Sequence, residues 1–386
     1  MKGIKNKSIV WWRDVPIDVE WGLLDYLSAH WQSDIYIVCA NDFREDRRIC
    51  SWDTKPKKNV HFIIGDLKST TRKKEIKQLL EMDALHIFSG IKGGHRWCLD
   101  MLRKKFPEGH NSIIIMESPS LYGSKIKRRL KKLMYPIIYR YYNVKYGKMF
   151  NALLTMGNQA KNIYASYGWR KDKIYPFMYL PRIEHNSEDI NLKHRNRIKA
   201  LYIGRFEYAT KGVKILMDAI EHINMPEKCH FDFVGGYGAQ KDEIIAWCNN
   251  TSNVDFCGSW SSDSVIDKMM EYDLCVIPSL YDGWNMAPFQ TINAGIGCLI
   301  SNRAGSYELI ESSGAGKVFG VDDYEMLKDI LNEIISNPTI VDEWKENADL
   351  FQQRISQETV GDYFMQIIQY CFGEIEQMPR CPWQKG

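Results

Sequence analysis

At 386 residues and 45% apolar content, the chain has room for two α/β domains of roughly 150–200 residues and is too apolar to be disordered. Its net charge of +3, from 51 Lys and Arg against 48 Asp and Glu, confers no general affinity for nucleic acid. The ten cysteines form no C-x-x-C pair, and several (Cys39, Cys50, Cys229, Cys248, Cys257 and Cys275 are examples) read as reduced thiols of a cytoplasmic protein rather than a disulfide frame or zinc site.

The opening MKGIKNKSIVWWRDVP is basic, but its apolar run is far too short for a signal peptide or a membrane span. Ser8–Trp12 predicts a first strand, Arg13–Pro16 a loop, and Ile17–His30 a helix. Strand and helix then alternate: strand Ile35–Cys39, strand Val60–Ile64, helix Arg72–Met82, strand Ala84–Phe88, helix Trp97–Lys105, strand Ser112–Met116. That alternation predicts a parallel, doubly wound sheet, whose ligands gather at the carboxyl ends of the strands. The loops at Arg13, Ser89–His95 and Glu117–Tyr122 are therefore candidates for one wall of a site. His86, inside an apolar run, reads as a core histidine, whereas His95 opens a helix after Gly93-Gly94. Glu117 follows a buried-looking strand and reads either as a substrate-contacting carboxylate or as an ordinary cap to a turn.

Tyr122–Phe150 carries nine Lys and Arg, no Asp or Glu, and many tyrosines. Basic residues with interleaved aromatics suit an anionic lipid surface, nucleic acid, or a merely solvated helix flank. Ala152–Thr155 predicts a further strand, and Pro181–Arg197 loses apolar content and periodicity and reads as a linker. A second alternating series begins with strand Ile198–Ile203. Gly204-Arg205 follows that strand directly, and Lys211-Gly212 opens the next helix. Phe231–Gly238 (FDFVGGYG) and Val254–Trp260 (VDFCGSW) are strands running into turns. Asp273–Ile277 is a short buried strand, stopped by Pro278. Turn chemistry at Asp282-Gly283 leads into a helix from about Asn285 through Gln290 to a stop at Gly295. Such a strand–loop–helix joint points free N–H groups at one spot, which suits an anion or a polyhydroxylated ligand. Cys298–Ser301 and Gly305–Gly316 follow, with Glu308 read as capping a helix start. Val360–Phe372 is apolar at helical spacing.

The block GRFEYATKG followed by PSLYDGWNM…AG, with Asp282-x7-Gln290, resembles the GR…KG and Glu-x7-Glu motifs of the family 4 retaining glycosyltransferases. The likeness covers nearly all of 198–372 and is weak over 1–180. It implies an α/β protein of two Rossmann-like, doubly wound domains facing across a cleft, the GT-B fold. The expected division is 1–185 on the acceptor side, 186–355 for the nucleotide sugar, and 356–386 as a last helix crossing back to the first domain, with a tail. The resemblance implies a nucleoside-diphosphate sugar as donor and a glycan or lipid-linked glycan as acceptor, in cell-surface polysaccharide synthesis. It also implies a cytoplasmic setting, peripheral to the inner face of an anionic membrane, and no nucleic-acid partner. No metal and no cofactor are expected, because the cations that such enzymes use are side chains. Arg205 and Lys211 would stabilise charge growing on the β-phosphate as the sugar leaves. Asp282 and Glu117 would contact the sugars. Gly204, Gly235, Gly258, Gly283, Trp284, Asn285, Met286 and Gln290 would line the donor.

Three departures from the family pattern fall in this block. Asp282 and Gln290 replace glutamates, and Asn285 replaces a glycine while keeping access to the left-handed backbone region. Gln290 keeps a carbonyl acceptor for a ribose hydroxyl but loses the charge-assisted part of that bond. Two other readings stay open: a non-catalytic sugar-nucleotide-binding partner, and a nucleotide-sugar epimerase of the same fold.

Overall fold

The structure, a computed structural model, describes residues 3–16, 18–42, 58–65, 67, 69–107, 109–121, 125–183, 197–321 and 324–384. Cys50, the expected boundary at 185/186 and most of the expected linker lie outside these residues. The chain divides into two compact units. The first comprises Met1–Pro119, Arg129–Arg182 and Ser356–Pro382; the second comprises Ser120–Arg128, Ile183–Ile355 and Trp383–Gly386. The two short segments 120–128 and 383–386 thus group with the second unit, which a division by sequence order assigned to the first domain and the tail.

Unit 1 is built on seven parallel strands: β1 (Ser8–Arg13), β2 (Ile35–Cys39), β3 (Val60–Ile64), β4 (Ala84–Ser89), β5 (Ser112–Met116), β6 (Ala152–Met156) and β7 (Ile174–Phe177), in the order β3-β2-β1-β4-β5-β6-β7. Central strands such as β5 (SIIIM) and β6 (ALLTM) are buried at every residue, as a parallel sheet covered on both faces requires. Helix α1 spans Trp21–His30, starting later than the expected Ile17, because Asp18–Glu20 forms a 3-10 turn from which Glu20 reaches back to Arg13. Helices α2 (Thr70–Glu81) and α3 (Arg96–Lys105) follow. Helix α4 (Lys125–Tyr146) runs for 22 residues with Pro136 inside it, and α5 (Gly157–Ser166) comes next. The tyrosines of α4 differ from the expected interleaving: Tyr139, Tyr142 and Tyr146 are buried and pack edge-to-face or tilted against one another and Tyr164, leaving only Tyr141 strongly exposed. Their rings serve the core, because the spacing of three and four residues puts them on one helical face.

Unit 2 carries six parallel strands, β8 (Ile198–Ile203), β9 (Cys229–Val234), β10 (Val254–Phe256), β11 (Leu274–Ile277), β12 (Gly297–Ser301) and β13 (Gly316–Phe319), in the order β10-β9-β8-β11-β12-β13. The connecting helices are α6 (Tyr208–Lys211), α7 (Val213–Glu221), α8 (Lys241–Asn249), α9 (Val265–Met269), α10 (Ala287–Asn293), α11 (Tyr307–Ser313), α12 (Glu325–Ser336) and α13 (Thr339–Gln352). The last helix, α14 (Gln357–Cys371), belongs to unit 1. Phe364 stacks on Trp11 and packs on Phe177, and the Tyr26 hydroxyl donates to Asp362. Gly361 makes this docking possible, since a Cβ there would lie 2.3 Å from the Tyr26 ring. No helix among the described residues is long and apolar enough to cross a membrane.

Candidate active site

In unit 2 the expected site residues collect at the carboxyl ends of β8, β9, β10 and β11. The turn after β8 is laced to its neighbour: the Gly204 N–H donates to the Val234 carbonyl at 3.0 Å, Phe206 N–H to Tyr237 at 2.9 Å, and Gln240 N–H back to Phe206 at 3.0 Å. The Gly235 N–H donates in turn to the Gly258 carbonyl at 2.9 Å, so Gly204, Gly235 and Gly258 line one rim. The buried Tyr202 hydroxyl donates to the Arg205 carbonyl at 2.7 Å and fixes the backbone that carries the guanidinium. Burial holds that phenol well above its usual pKa, with the Asp282 carboxylate the next cause.

Arg205 and Lys211 each meet a carboxylate. Arg205 Nη1 donates to Glu207 Oε1 at 3.3 Å, and Glu207 Oε2 accepts from the Thr210 hydroxyl at 2.6 Å. Lys211 Nζ bonds Asp282, and both side chains keep only 16% exposure. The same Asp282 oxygen accepts from Asn285 Nδ2 at 3.0 Å, and Asn285 Oδ1 accepts from the Ala287 N–H at 2.9 Å, which satisfies one free donor at the start of α10. That helix begins at Ala287, not Asn285, and ends by Gly295 at φ +63°. At seven residues it is shorter than the sequence pattern predicts: Met286 is its N-cap residue, and Asn285 lies before it, turned toward Asp282 and the Ala287 N–H.

The backbone explains why residues 71 apart meet. The Thr210 carbonyl on α6 accepts from both the Leu280 N–H, at 2.8 Å, and the Tyr281 N–H, at 3.0 Å. Gly212 sits at φ +64°, and a Cβ there would lie 1.9 Å from the Pro278 carbonyl oxygen. The chain therefore needs glycine here twice over, for the left-handed turn and for the close approach. Behind the loop, the Asp282 N–H donates to Arg303 at 3.2 Å and the Gly305 N–H to the Asp282 carbonyl at 3.1 Å. Trp284 is buried, while Met286 and Gln290 are half-buried; the Gln290 side chain makes no hydrogen bond to a described residue. Gly283, between Asp282 and Trp284, is buried as well. Glu308, in the first turn of α11, is 2% exposed.

Chemically, unit 2 presents two cations whose positions are set by carboxylates before any ligand arrives. The Lys211 ammonium has three donors, of which Asp282 takes one, and Asp282 offers acceptor oxygens to hydroxyl groups. Glu207 and Thr210 were not singled out as site residues by the sequence, although both stand inside GRFEYATKG. A separate cluster lies across β9 and β10, where His230 Nε2 is 3.0 Å from Asp232 and 3.1 Å from Asp255. There the Tyr272 hydroxyl donates to Asp232 at 2.6 Å and Lys199 lies 3.5 Å away.

Unit 1 assembles its own polar cluster at the strand ends. Arg13, 2% exposed, closes β1 and pairs with Glu20, 1% exposed. Burial pushes the Glu20 carboxyl up, against the pull of Arg13. Glu117 follows β5: its carboxylate accepts from the Tyr179 hydroxyl and its backbone carbonyl from the Tyr164 hydroxyl at 2.7 Å. Tyr179 is near enough to Glu20 and Arg13 to feel both charges, and burial together with Glu117 holds its phenol well above the ordinary value. His95 is buried; one ring nitrogen meets the Gly90 carbonyl at 3.1 Å, and burial lowers its pKa. His86 is the core histidine that its apolar run implies. It is fully buried, accepts from Trp12 Nε1 at 3.1 Å, and has its pKa pushed down to about 3 by burial. Tyr179 and Glu20 carried no sequence signal, since neither stands in a patterned motif.

Residues 184–351 match the family model of the glycosyl transferases group 1. An uncharacterized glycosyltransferase of Methanocaldococcus jannaschii is 29% identical over 163 residues, 41% of this chain and 44% of that protein. The match thus spans less than half the length of that relative. Among solved structures, Anabaena HepE in complex with UDP is similar at TM-score 0.68 and 14% identity, covering 93% of this chain and 98% of that one. Sucrose-phosphate synthase from Thermosynechococcus elongatus is similar at TM-score 0.67 and 15% identity, covering 96% and 100%. At such identities the likeness shows the fold: two parallel-sheet α/β units of the GT-B class.

Proposed function

From a chain whose residues 184–351 match the family model of the glycosyl transferases group 1, we propose a retaining, metal-independent glycosyltransferase. It takes a sugar from a nucleoside-diphosphate sugar and passes it to a glycan or lipid-linked glycan acceptor. The setting is cell-surface polysaccharide synthesis at the cytoplasmic face of a membrane. The observation that carries this reading is the Lys211–Asp282 pair, fixed by two backbone bonds to the Thr210 carbonyl and joined through α6 to Arg205 and Glu207. In the reaction, the bond from the anomeric carbon to the β-phosphate oxygen breaks and the acceptor oxygen forms the new bond on the same face. The acceptor proton leaves with the diphosphate. Negative charge grows on the β-phosphate as that bond lengthens. Arg205 and Lys211, already immobilised, stabilise the growing charge without having to be ordered at that moment, which is the condition for lowering a barrier. Asp282 and Asn285 hold the sugar hydroxyls, Gln290 a ribose hydroxyl, and Gly204, Gly235 and Gly258 let the backbone come close to the nucleotide. Glu117, clamped by Tyr179 and Tyr164, contacts the acceptor.

Donor binding in related folds supports the nucleotide part: HepE has been solved with UDP and with UDP-glucose. The test is a thermal-shift screen against UDP-, GDP- and ADP-sugars, followed by release of nucleoside diphosphate with and without candidate acceptors. Acceptor-dependent release, with the product anomer matching the donor, is the expected result. Binding with no turnover under any acceptor would leave a sugar-nucleotide-binding protein instead.

A further inference from the structure

Helix α4 shows the solvent a face that no soluble surface requires. Leu130 is 52% exposed, Leu133 72%, Met134 53%, Ile137 71%, Tyr141 56% and Val144 84%. At 3.6 residues per turn these six side chains fall in one stripe roughly 100° wide, opposite the buried face of Tyr139, Tyr142 and Tyr146. The helix has eight Lys and Arg and no acidic residue. By the same geometry, Arg129 and Arg140 flank the stripe on one side and Lys131 and Lys145 on the other. Lys145 is held by Asp100 at 2.7 Å, which ties this end of the helix to α3. Six large apolar side chains turned outward in one row exceed what scattered surface hydrophobes explain.

We propose that this face of α4 is a membrane-docking surface that inserts its apolar stripe between the headgroups of an anionic phospholipid bilayer. An apolar stripe bordered by cations on both sides is the arrangement that lies flat in a bilayer interface, with the side chains in the acyl boundary and the charges among the phosphates. A second copy of the chain fits the same stripe poorly: paired α4 helices would bring together two rows of Lys and Arg, and neither helix carries an acidic residue of its own to set against them. The inference deepens the proposed function, because it names the surface on which a lipid-linked acceptor would be met, and it rests on that reading only for its purpose.

Co-sedimentation of the full chain, without donor, with phosphatidylcholine vesicles and with vesicles containing about one third phosphatidylglycerol tests the surface directly. Binding to the anionic vesicles at least tenfold above the neutral ones, weakened by salt, is expected. Leu133→Gln with Ile137→Gln should lower it tenfold or more, and Arg129→Gln should lower it on anionic vesicles alone. Both variants touch exposed side chains, so UDP-sugar thermal shifts should match wild type. Equal binding to both vesicle types, or no loss in the Leu133→Gln/Ile137→Gln variant, would overturn the proposal. So would a lipid-free dimer, seen by light scattering, that the same variant dissociates. Because nucleotide binding is read separately, its failure beside intact vesicle binding would remove the enzymatic reading and leave the surface standing.

Discussion

Gly212→Ala is the substitution whose cost is best defined by the structure. Alanine at φ +64° costs about 1–2 kcal/mol against the left-handed backbone. Its Cβ, placed 1.9 Å from the Pro278 carbonyl, must also push the loop and α6 apart, which adds roughly 1–3 kcal/mol of overpacking. A local destabilisation of about 3 kcal/mol follows, more than a hundredfold in the opening equilibrium of this part of unit 2. Two bonds are in the path of that movement, those from Leu280 and Tyr281 to the Thr210 carbonyl, so Lys211 loses its register with Asp282. Hydrogen–deuterium exchange should show faster opening in peptides covering α6 and residues 278–283, with β4 and β5 peptides of unit 1 unchanged as the internal reference. Donor affinity should fall in parallel. Exchange at 278–283 within twofold of wild type would refute the reasoning, since a clash of this size cannot be absorbed silently.

Gln290→Glu should bind donor as well as wild type or better, because a carboxylate restores charge-assisted bonds to ribose, while Gln290→Ala should bind about tenfold more weakly. Titration of nucleotide sugar into all three separates this from a structural role, in which the Ala variant binds normally and the Glu variant unfolds. The second prediction concerns acid. His86 has a folded pKa of about 3 against an ordinary value near 6.5, so the unfolded chain takes up a proton that the folded chain refuses as pH falls below about 6.5. Stability present at pH 7.5 should therefore drop by ~2 kcal/mol at pH 5, and continue falling toward pH 3. Urea unfolding followed through unit 1 should show that slope in wild type and a flatter one in His86→Asn; equal slopes would contradict the assignment.

Much of the fold was legible because most of its strands are buried on both faces. Ile35–Cys39, Val60–Ile64, Ser112–Met116 and Ile198–Ile203 are mostly apolar runs bounded by turn residues, interrupted only by His61, Ser112 and Lys199, and all four are strands with those limits. Helix starts were less legible, since they depend on side-chain partners: α1 is delayed to Trp21 by an ion pair between Arg13 and Glu20, and α10 starts only at Ala287, with Asn285 engaged by Asp282 and the Ala287 N–H. The candidate site divides in the same way. Arg205, Lys211 and Asp282 stand in spaced motifs and could be named from the sequence, but their pairing with Glu207 and with each other depends on how α6 packs beneath the 278–282 loop. Tyr179 reaches Glu117 across 62 residues with no local pattern to announce it. The stripe on α4 was hidden for the opposite reason. Leu130, Leu133, Met134 and Ile137 have the composition of a core face, and only their exposure distinguishes them from one.

The central claim is that Arg205 and Lys211 stabilise the departing diphosphate. It is tested most directly by turnover at saturating nucleotide sugar, followed as nucleoside diphosphate released, in Arg205→Ala and Lys211→Ala. Each variant should retain wild-type exchange in unit 1 and over β8 and β11, and each should turn over about a hundredfold more slowly, the loss that follows when one preorganised electrostatic stabiliser is removed. A folded Lys211→Ala or Arg205→Ala protein that works at near wild-type rate would contradict the account.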